Sequence, residues 1–245
     1  MPKNNFKEGI MYIESPKDEL SFADLIRAAE EKTCESKSFP YKYHVCRCRN
    51  CAYCYQGKCA LKRCCCMRDR VKARSCTFSE VLGDCFANIG DSIFHFRLRL
   101  ATERAREMRS CFLDSKHRMR FYEGCALTRR YESSFIAQLF LLSASEDLWK
   151  RVKEALSHDG VSYAEVYLDG LTIDEYIYFS AACDFEYGCS HASISDLSND
   201  EVIEFEPFRL ICYAIAIYIY GSDVVPIAER DRERAKKKRR VKRRE

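Results

Sequence analysis

The spacing of apolar residues predicts α-helices along most of the chain. In the segment SFADLIRAAEEK, Phe22, Leu25 and Ile26 share one helical face, and Ser21 before them is a suitable N-cap. Weak alternation of apolar and polar residues is confined to 161–170, which we expect to form one short strand or an irregular connector. The sequence therefore predicts a mainly α fold.

A longer helix is predicted over residues 92–113. Its apolar side is expected to carry Ile93, Phe96, Leu100 and Met108, which follow one face only in part. Its other side is expected to be rich in arginine, with Arg97, Arg104, Arg106 and Arg109.

Two helix starts carry the capping-box pattern, in which a threonine and a glutamate three residues later satisfy backbone N–H groups reciprocally. The pairs are Thr77 with Glu80 and Thr172 with Glu175. We expect the first of these helices to end at Gly90 and the second at Gly188, because glycine readily adopts the left-handed conformation found at helix ends.

Two segments are apolar nearly all round, which predicts that they lie inside the core. The first covers 135–142. The second covers 208–220, with Pro207 in its first turn and Gly221 at its end. Both are expected to be buried helices.

Local signals complete the predicted organisation. Ser145 is a suitable N-cap for EDLWKRVKEALSH, and HDG at 158–160 predicts a turn. From about Ile227 the chain has helical propensity but no apolar face, so we expect it to fray when alone. We predict a helical bundle with a small cysteine-rich metal knuckle and a basic tail: an N-terminal helix (1–40), a zinc-binding module (41–76), a helical domain (77–225) and the tail (226–245).

Basic and acidic residues are separated along the 245 residues, whose formal net charge is only +4. Residues 42–74 contain ten Lys or Arg and one acid, and residues 97–130 contain ten and four. The sign reverses over 131–228, with four basic and seventeen acidic residues, and turns basic again over 229–245, with eleven and four. We expect a polyanion to be held from one side, unless the two halves simply attract each other.

The chain contains 16 cysteines, but it begins MPKNNFKEGI, without the apolar segment of a secretory signal. We therefore expect a reducing cytoplasmic setting. The longest apolar run, residues 210–220, is shorter than the roughly 20 residues that a membrane helix needs, so no membrane partner is expected.

Eight cysteines fall within residues 46–66, a segment with little apolar sequence from which to build a core. Cys51, Cys54, Cys59 and Cys64 follow a Cys-x2-Cys-x4-Cys-x4-Cys spacing, and four thiolates at about 2.3 Å satisfy tetrahedral Zn²⁺. We predict a structural zinc site on these four residues. Other ligand sets or a second ion would draw on Cys34, His44, Cys46, Cys48, Cys65, Cys66 and Cys76. An iron–sulfur cluster, disulfides, or reduced cysteines without metal are the alternatives.

Basic and aromatic side chains fill the gaps between these cysteines. This combination of phosphate-binding cations and stacking faces is typical of proteins that bind single-stranded nucleic acid. The predicted contacts are Lys42, Arg47, Arg49, Tyr53, Tyr55, Lys62 and Arg63. A solvated basic surface without a partner is the alternative.

The C-terminal tail has nine basic residues among the eleven from Arg234 to Arg244. Such a run neutralises phosphates without reading sequence, and we predict contacts from Lys236, Lys237, Lys238, Arg239 and Arg240. The run also looks like a nuclear import signal, which would apply only in a eukaryotic host. A solvated tail with no dedicated partner is the remaining alternative.

No motif in the chain identifies a reaction. The five histidines are scattered, and no glycine-rich phosphate loop is present. Cys183, Cys189 and His191 lie close in sequence, but we expect packing residues there rather than a second metal or thiol site. We therefore predict a protein that is not an enzyme.

Two parts of the chain resemble known sequences. CAYCYQGKCALKRCCC, residues 51–66, resembles a cysteine-rich signature in small proteins of Clostridia-type gut Firmicutes and their mobile elements. YESSFIAQLFLLSASEDLWKRVKEAL, with ISDLSNDEVI and FRLICYAIAIYIYG, is similar to a helical domain of the same group. The resemblance implies no established activity, but it implies a bacterial cytosol or a phage or plasmid setting.

Two functions agree with these features. The first is a zinc-stabilised nucleic-acid-binding or accessory protein. The second is a protein-interaction factor, such as an inhibitor or adaptor of a nucleic-acid-targeting enzyme, whose acidic residues 131–228 mimic nucleic acid or dock on a basic groove. In that case Glu201, Glu204 and Glu206 are expected to matter.

Overall fold

The computed structural model describes residues 54–55, 58–59, 67–72, 74, 76–189 and 191–229, and this part of the chain is mainly helical. Its helices are α1 (Met67–Lys72), α2 (Phe78–Cys85), α3 (Ser92–Met108), α4 (Ser115–Leu127), α5 (Ser133–Leu142), α6 (Glu146–Glu154), α7 (Ile173–Tyr187), α8 (Ile194–Ser198), α9 (Phe205–Tyr220) and a last helical stretch over 224–229. The antiparallel hairpins are β1 (Cys54–Tyr55) with β2 (Lys58–Cys59) and β3 (Leu156–Ser157) with β4 (Gly160–Val161), and a 3₁₀-helix covers Tyr163–Glu165. The predicted helical class is confirmed for these residues, whereas the predicted helix at 21–32 lies outside them.

Helix α5 forms the centre of the core and packs against both α7 and α9. Every residue from Phe135 to Leu142 is buried, as the all-round apolar pattern predicts. The buried polar exception, Gln138, donates from Nε2 to Glu186 at 2.8 Å and accepts from the Tyr163 hydroxyl at 2.9 Å. Its amide is therefore satisfied inside the core.

The other helices surround this centre. Helices α2 and α3 pack on α9, α4 packs on α5 and α6, the short α1 lies on α2, and α8 lies on α3. The segment that follows the cysteine cluster is therefore attached to the core through α1 and α2.

Both predicted capping boxes are present, at Thr77 with Glu80 and at Thr172 with Glu175. Gly188 ends α7 in the left-handed conformation, with a φ of 65°. Ser145 caps α6, Pro207 lies in the first turn of α9, and Gly221 ends that helix. These features depend on neighbouring residues only, which is why the sequence predicted them.

Helix α2 ends at Cys85, before the predicted stop at Gly90. Phe86 leaves the helix and is fully buried, with its ring centroid 5.2 Å from that of Phe94. Burial of this aromatic ring turns the chain inward before the glycine is reached.

Helix α3 ends at Met108 rather than at residue 113. Arg109 adopts the left-handed conformation, with a φ of 56°, and Phe112 is then fully buried. Asp114 caps α4, a helix that the sequence analysis did not predict, by accepting from the His117 backbone N–H at 2.7 Å.

The predicted sides of α3 are partly wrong. Ile93, Phe96 and Leu100 are exposed, whereas Arg97 is only 5% exposed. The Arg97 guanidinium donates to the carbonyl oxygens of Leu197 and Ile203 and lies over the Phe208 ring. The buried face of α3 consists instead of Phe94, Leu98, Ala101 and Ala105, with this arginine at its edge. The guanidinium is buried because it satisfies carbonyls around α8 that would otherwise lack donors.

The core also extends past the predicted tail boundary at 225/226. Val224 and Val225 are buried, and so are Ile227 and Ala228, within the helical residues 224–229. The expectation that the chain has no apolar face from Ile227 onward is wrong at these first positions.

Candidate nucleic-acid interface

The hairpin β1–β2 lies inside the cysteine-rich segment. Its register pairs Cys54 with Cys59 and Tyr55 with Lys58. The backbone therefore places two of the four predicted zinc ligands opposite each other. Cys76 is buried within the core. The other predicted ligands, Cys51, Cys64, Cys34, His44, Cys46, Cys48, Cys65 and Cys66, lie outside the described residues.

Most of the predicted nucleic-acid contacts also lie outside that part of the chain. They are Lys42, Arg47, Arg49, Tyr53, Lys62, Arg63, Lys236, Lys237, Lys238, Arg239 and Arg240. Within the described residues, no three or more His, Cys, Asp or Glu side chains are grouped so that they could hold a metal ion.

The residues after the cysteine cluster are held at the C-terminal end of α9. Arg68 donates to the Ile219 carbonyl at 3.3 Å, and Arg74 pairs with Asp223 at 3.1 Å. The helical residues 224–229 begin at the same place and rise about 9 Å in total. The end of the cysteine-rich segment and the start of the basic tail are therefore anchored close together.

An open groove of about 230 Å³ lies between α2 and α3. Its walls are formed by Ser79 and Gly83 of α2 and by His95, Leu98, Arg99, Thr102, Glu103 and Arg106 of α3. The hydroxyl of Tyr220, at the end of α9, donates to Asp84, the residue after the groove's Gly83. The polar α3 residues recur every three or four positions, so they share one face of the helix.

Arg99 and Arg106 pair with no carboxylate in the described part of the chain, and both are exposed. Two other arginines do have carboxylate partners, since Arg104 lies 3.9 Å from Glu107 and Arg118 lies 3.1 Å from Glu229. Glu103 lies on the same face as Arg99 and Arg106 and between them, so the groove carries two guanidinium groups and one carboxylate, and the net positive charge favours an anionic ligand.

The remaining groove residues have defined hydrogen-bonding roles. His95 Nε2 lies 2.6 Å from the Ile89 carbonyl, which fixes that nitrogen as the donor. Thr102 donates to the Leu98 carbonyl at 2.8 Å and keeps its hydroxyl oxygen as an acceptor. The guanidinium of Arg99 also lies 5.2 Å from the centre of the exposed Phe96 ring. The helix therefore presents cations and an aromatic face together.

Comparison with protein-family models, with curated proteins and with solved structures finds no match for this chain. None of the helices in the described ranges is long and apolar enough to cross a membrane. The function must therefore be inferred from the residues themselves.

A second titratable cluster lies at the end of α7. The buried Asp184 carboxylate pairs with His191 Nδ1 and accepts from its backbone N–H at 3.1 Å, and this pairing raises the pKa of His191. Burial raises the thiol pKa of Cys183 to about 12 and also raises that of Cys189. Because the thiolate is the nucleophilic form, these directions do not favour a reactive cysteine.

The acidic half of the chain includes a carboxylate that serves the fold. Glu206 accepts from Arg209 Nε at 2.9 Å and from its Nη2, while Arg209 is 1% exposed. The Nη1 atom of Arg209 has no hydrogen-bond partner in the described residues. Removing Glu206 would leave the buried charge of Arg209 uncompensated. A Glu206 variant would therefore change the stability of the fold as well as any binding of a partner.

The groove was not predicted from the sequence. Helical spacing of His95, Arg99, Thr102 and Arg106 was the available signal, but Gly83 comes from another helix. Gly83 itself was the second available signal of the groove, because a glycine within a helix costs about 0.5–1 kcal/mol of stability relative to alanine.

Proposed function

We propose that this chain is a zinc-stabilised, non-enzymatic nucleic-acid-binding or accessory protein. In this proposal the cysteine-rich segment, the α2–α3 groove and the basic tail contact one polyanion. The observation that carries it is the anchoring of Arg68 and Arg74 at Ile219 and Asp223, which holds the residues after the cysteine cluster against the residues that lead into the basic tail. The α2–α3 groove adds two arginines against one carboxylate.

Zinc is proposed on Cys51, Cys54, Cys59 and Cys64. The pairing of Cys54 with Cys59 in the hairpin supports this ligand set, because a shared ion requires that its ligands be brought together. Zinc would supply folding energy to a segment that lacks an apolar core. An iron–sulfur cluster on the same cysteines is the alternative, and visible absorbance with bound sulfide distinguishes it from colourless zinc.

The test measures the affinity of the full chain, purified with zinc, for fluorescent single-stranded and duplex oligonucleotides. Replacing Arg99 and Arg106 with Glu should weaken binding roughly tenfold or more at about 0.1 M salt and lower the salt slope by about two. Deleting residues 230–245 should weaken binding further. The matched control replaces Lys116 and Arg129 with Glu, because both are exposed, lie away from the groove and change the charge equally.

The proposal is wrong if the intact chain binds no oligonucleotide, or if the control weakens binding as much as the groove variant. The second result would indicate a response to net charge alone.

A protein-interaction factor is the second candidate. Ile173 and Val202 are 78% and 50% exposed. Burial is the main cause that raises the pKa of Asp174, and the nearby carboxylate of Glu204 is the second cause. An apolar surface beside acids suits a basic protein partner. Replacing Glu201 and Glu204 with Gln would disrupt this mode and leave oligonucleotide binding intact.

A further inference from the structure

Gly83 has no structural reason to be glycine. A Cβ atom added there would meet no atom within 4 Å, and its backbone does not require a positive φ. Gly124 is different, because a Cβ there would lie 2.8 Å from the Trp149 ring. Packing therefore explains the glycine of α4 but not the one of α2.

The open space beside Gly83 is the α2–α3 groove itself. Its volume of about 230 Å³ is several times the roughly 30 Å³ that one water occupies in the liquid, so a ligand of several heavy atoms can enter. A side chain at this position would fill part of that space. Glycine leaves the helix backbone open at this wall, so a ligand can approach it closely.

The groove offers different chemistry at its two walls. The α3 wall carries the guanidinium groups of Arg99 and Arg106, which suit a phosphate and outnumber the single carboxylate there, that of Glu103. It also carries the Thr102 hydroxyl, which can accept a hydrogen bond. The α2 wall is bare backbone at Gly83 with the Ser79 hydroxyl beside it. A ligand that has an anionic group at one end and a flat ring with polar atoms on its edge at the other end matches both walls.

We propose that the groove is a subsite for one unpaired nucleotide, with its phosphate on Arg99 and Arg106 and its base against the Gly83 backbone. This rests on the proposed nucleic-acid function and adds a preference for single strands. A base in a duplex must leave its stack to enter such a recess, whereas bases in a single strand are already accessible.

The test replaces Gly83 with Leu in the full chain. Leucine favours helix, changes no charge and occupies the groove, so the thermal midpoint should stay equal or rise while affinity for a single-stranded oligonucleotide falls about tenfold. Duplex affinity and the salt slope should not change. Gly90→Leu is the control, because a Cβ at Gly90 also meets nothing within 4 Å but this residue lies in the loop outside the groove.

A second measurement follows ¹⁵N-labelled protein by NMR during titration with uridine monophosphate and with ribose 5-phosphate. Groove residues should shift with both, more strongly with the nucleotide, and the Gly83→Leu variant should lose that difference. If Gly83→Leu binds the oligonucleotide as tightly as the unaltered chain, the subsite is wrong while the proposed function stands. If no oligonucleotide binds but uridine monophosphate perturbs the groove, the proposed function and the strand subsite are both wrong, and the groove binds a free nucleotide only.

Discussion

His117 should make the stability of the helical core fall steeply below neutral pH. Its side chain is fully buried, its Nε2 lies 2.8 Å from the Phe140 carbonyl, and its Nδ1 accepts from the Leu113 N–H at 3.1 Å. This geometry fits only the neutral ring with the proton on Nε2. Burial, chiefly, lowers the pKa of His117 from 6.5 to about 3.

The lowered pKa of His117 determines the direction in which stability changes with pH. Between about pH 6.5 and about pH 3 the unfolded chain binds a proton at this histidine and the folded chain does not, so the free energy of unfolding rises with pH. The contribution of His117 to stability is complete above its pKa in the unfolded chain. It is lost as the pH falls toward its lower pKa in the folded chain. Lowering the pH from about 7.5 to about 5 should therefore remove roughly 2 kcal/mol of stability.

The assay is urea unfolding in reducing buffer, followed by the fluorescence of Trp149, the single tryptophan, which is buried beside α4. His117→Gln retains a donor toward Phe140 but leaves the Leu113 N–H unsatisfied, at a cost of about 1–3 kcal/mol near pH 7.5. The free energy of unfolding of the unaltered chain minus that of this variant should fall by roughly 2 kcal/mol as the pH falls to about 5, which reverses its sign if the gap at about pH 7.5 is below that value. Carboxylates and His191 titrate in both proteins, so their effects cancel in the difference.

His158→Gln is the control, because His158 is exposed at the tip of the β3–β4 hairpin. It should leave both the stability and its pH dependence unchanged. A gap between the unaltered chain and His117→Gln that stays constant over the whole pH range would refute the neutral, buried histidine.

Two further predictions concern the metal and the core. Cys54→Ser should lower the zinc content per chain, measured by elemental analysis, while the Trp149 fluorescence stays native; retention of full zinc would exclude Cys54 as a ligand. Glu206→Gln should lower the free energy of unfolding by about 2 kcal/mol, because Arg209 loses its charged partner while Glu206 itself is partly exposed. Urea unfolding at pH 7.5 measures this, and an unchanged midpoint would mean that the pair contributes nothing.

The structure reassigns one predicted surface to the interior. Arg97 was expected on the polar side of α3, but it bonds carbonyls about a hundred residues away in the sequence. Ile93 and Phe96 were expected on the apolar side and face solvent instead. Spacing along one helix describes its faces, but which face is buried depends on the partner that packs against it.

By itself the sequence determined the capping boxes at Thr77 and Thr172, the end of α7 at Gly188 and the burial of 135–142, because each depends on adjacent residues or on uninterrupted apolar composition. Only the tertiary structure decided that His117 is neutral and that Gly83 opens into a groove with Arg99 and Arg106. Protonation of a buried ring and the shape of a recess between helices depend on groups that are distant in sequence and meet only when the helices pack.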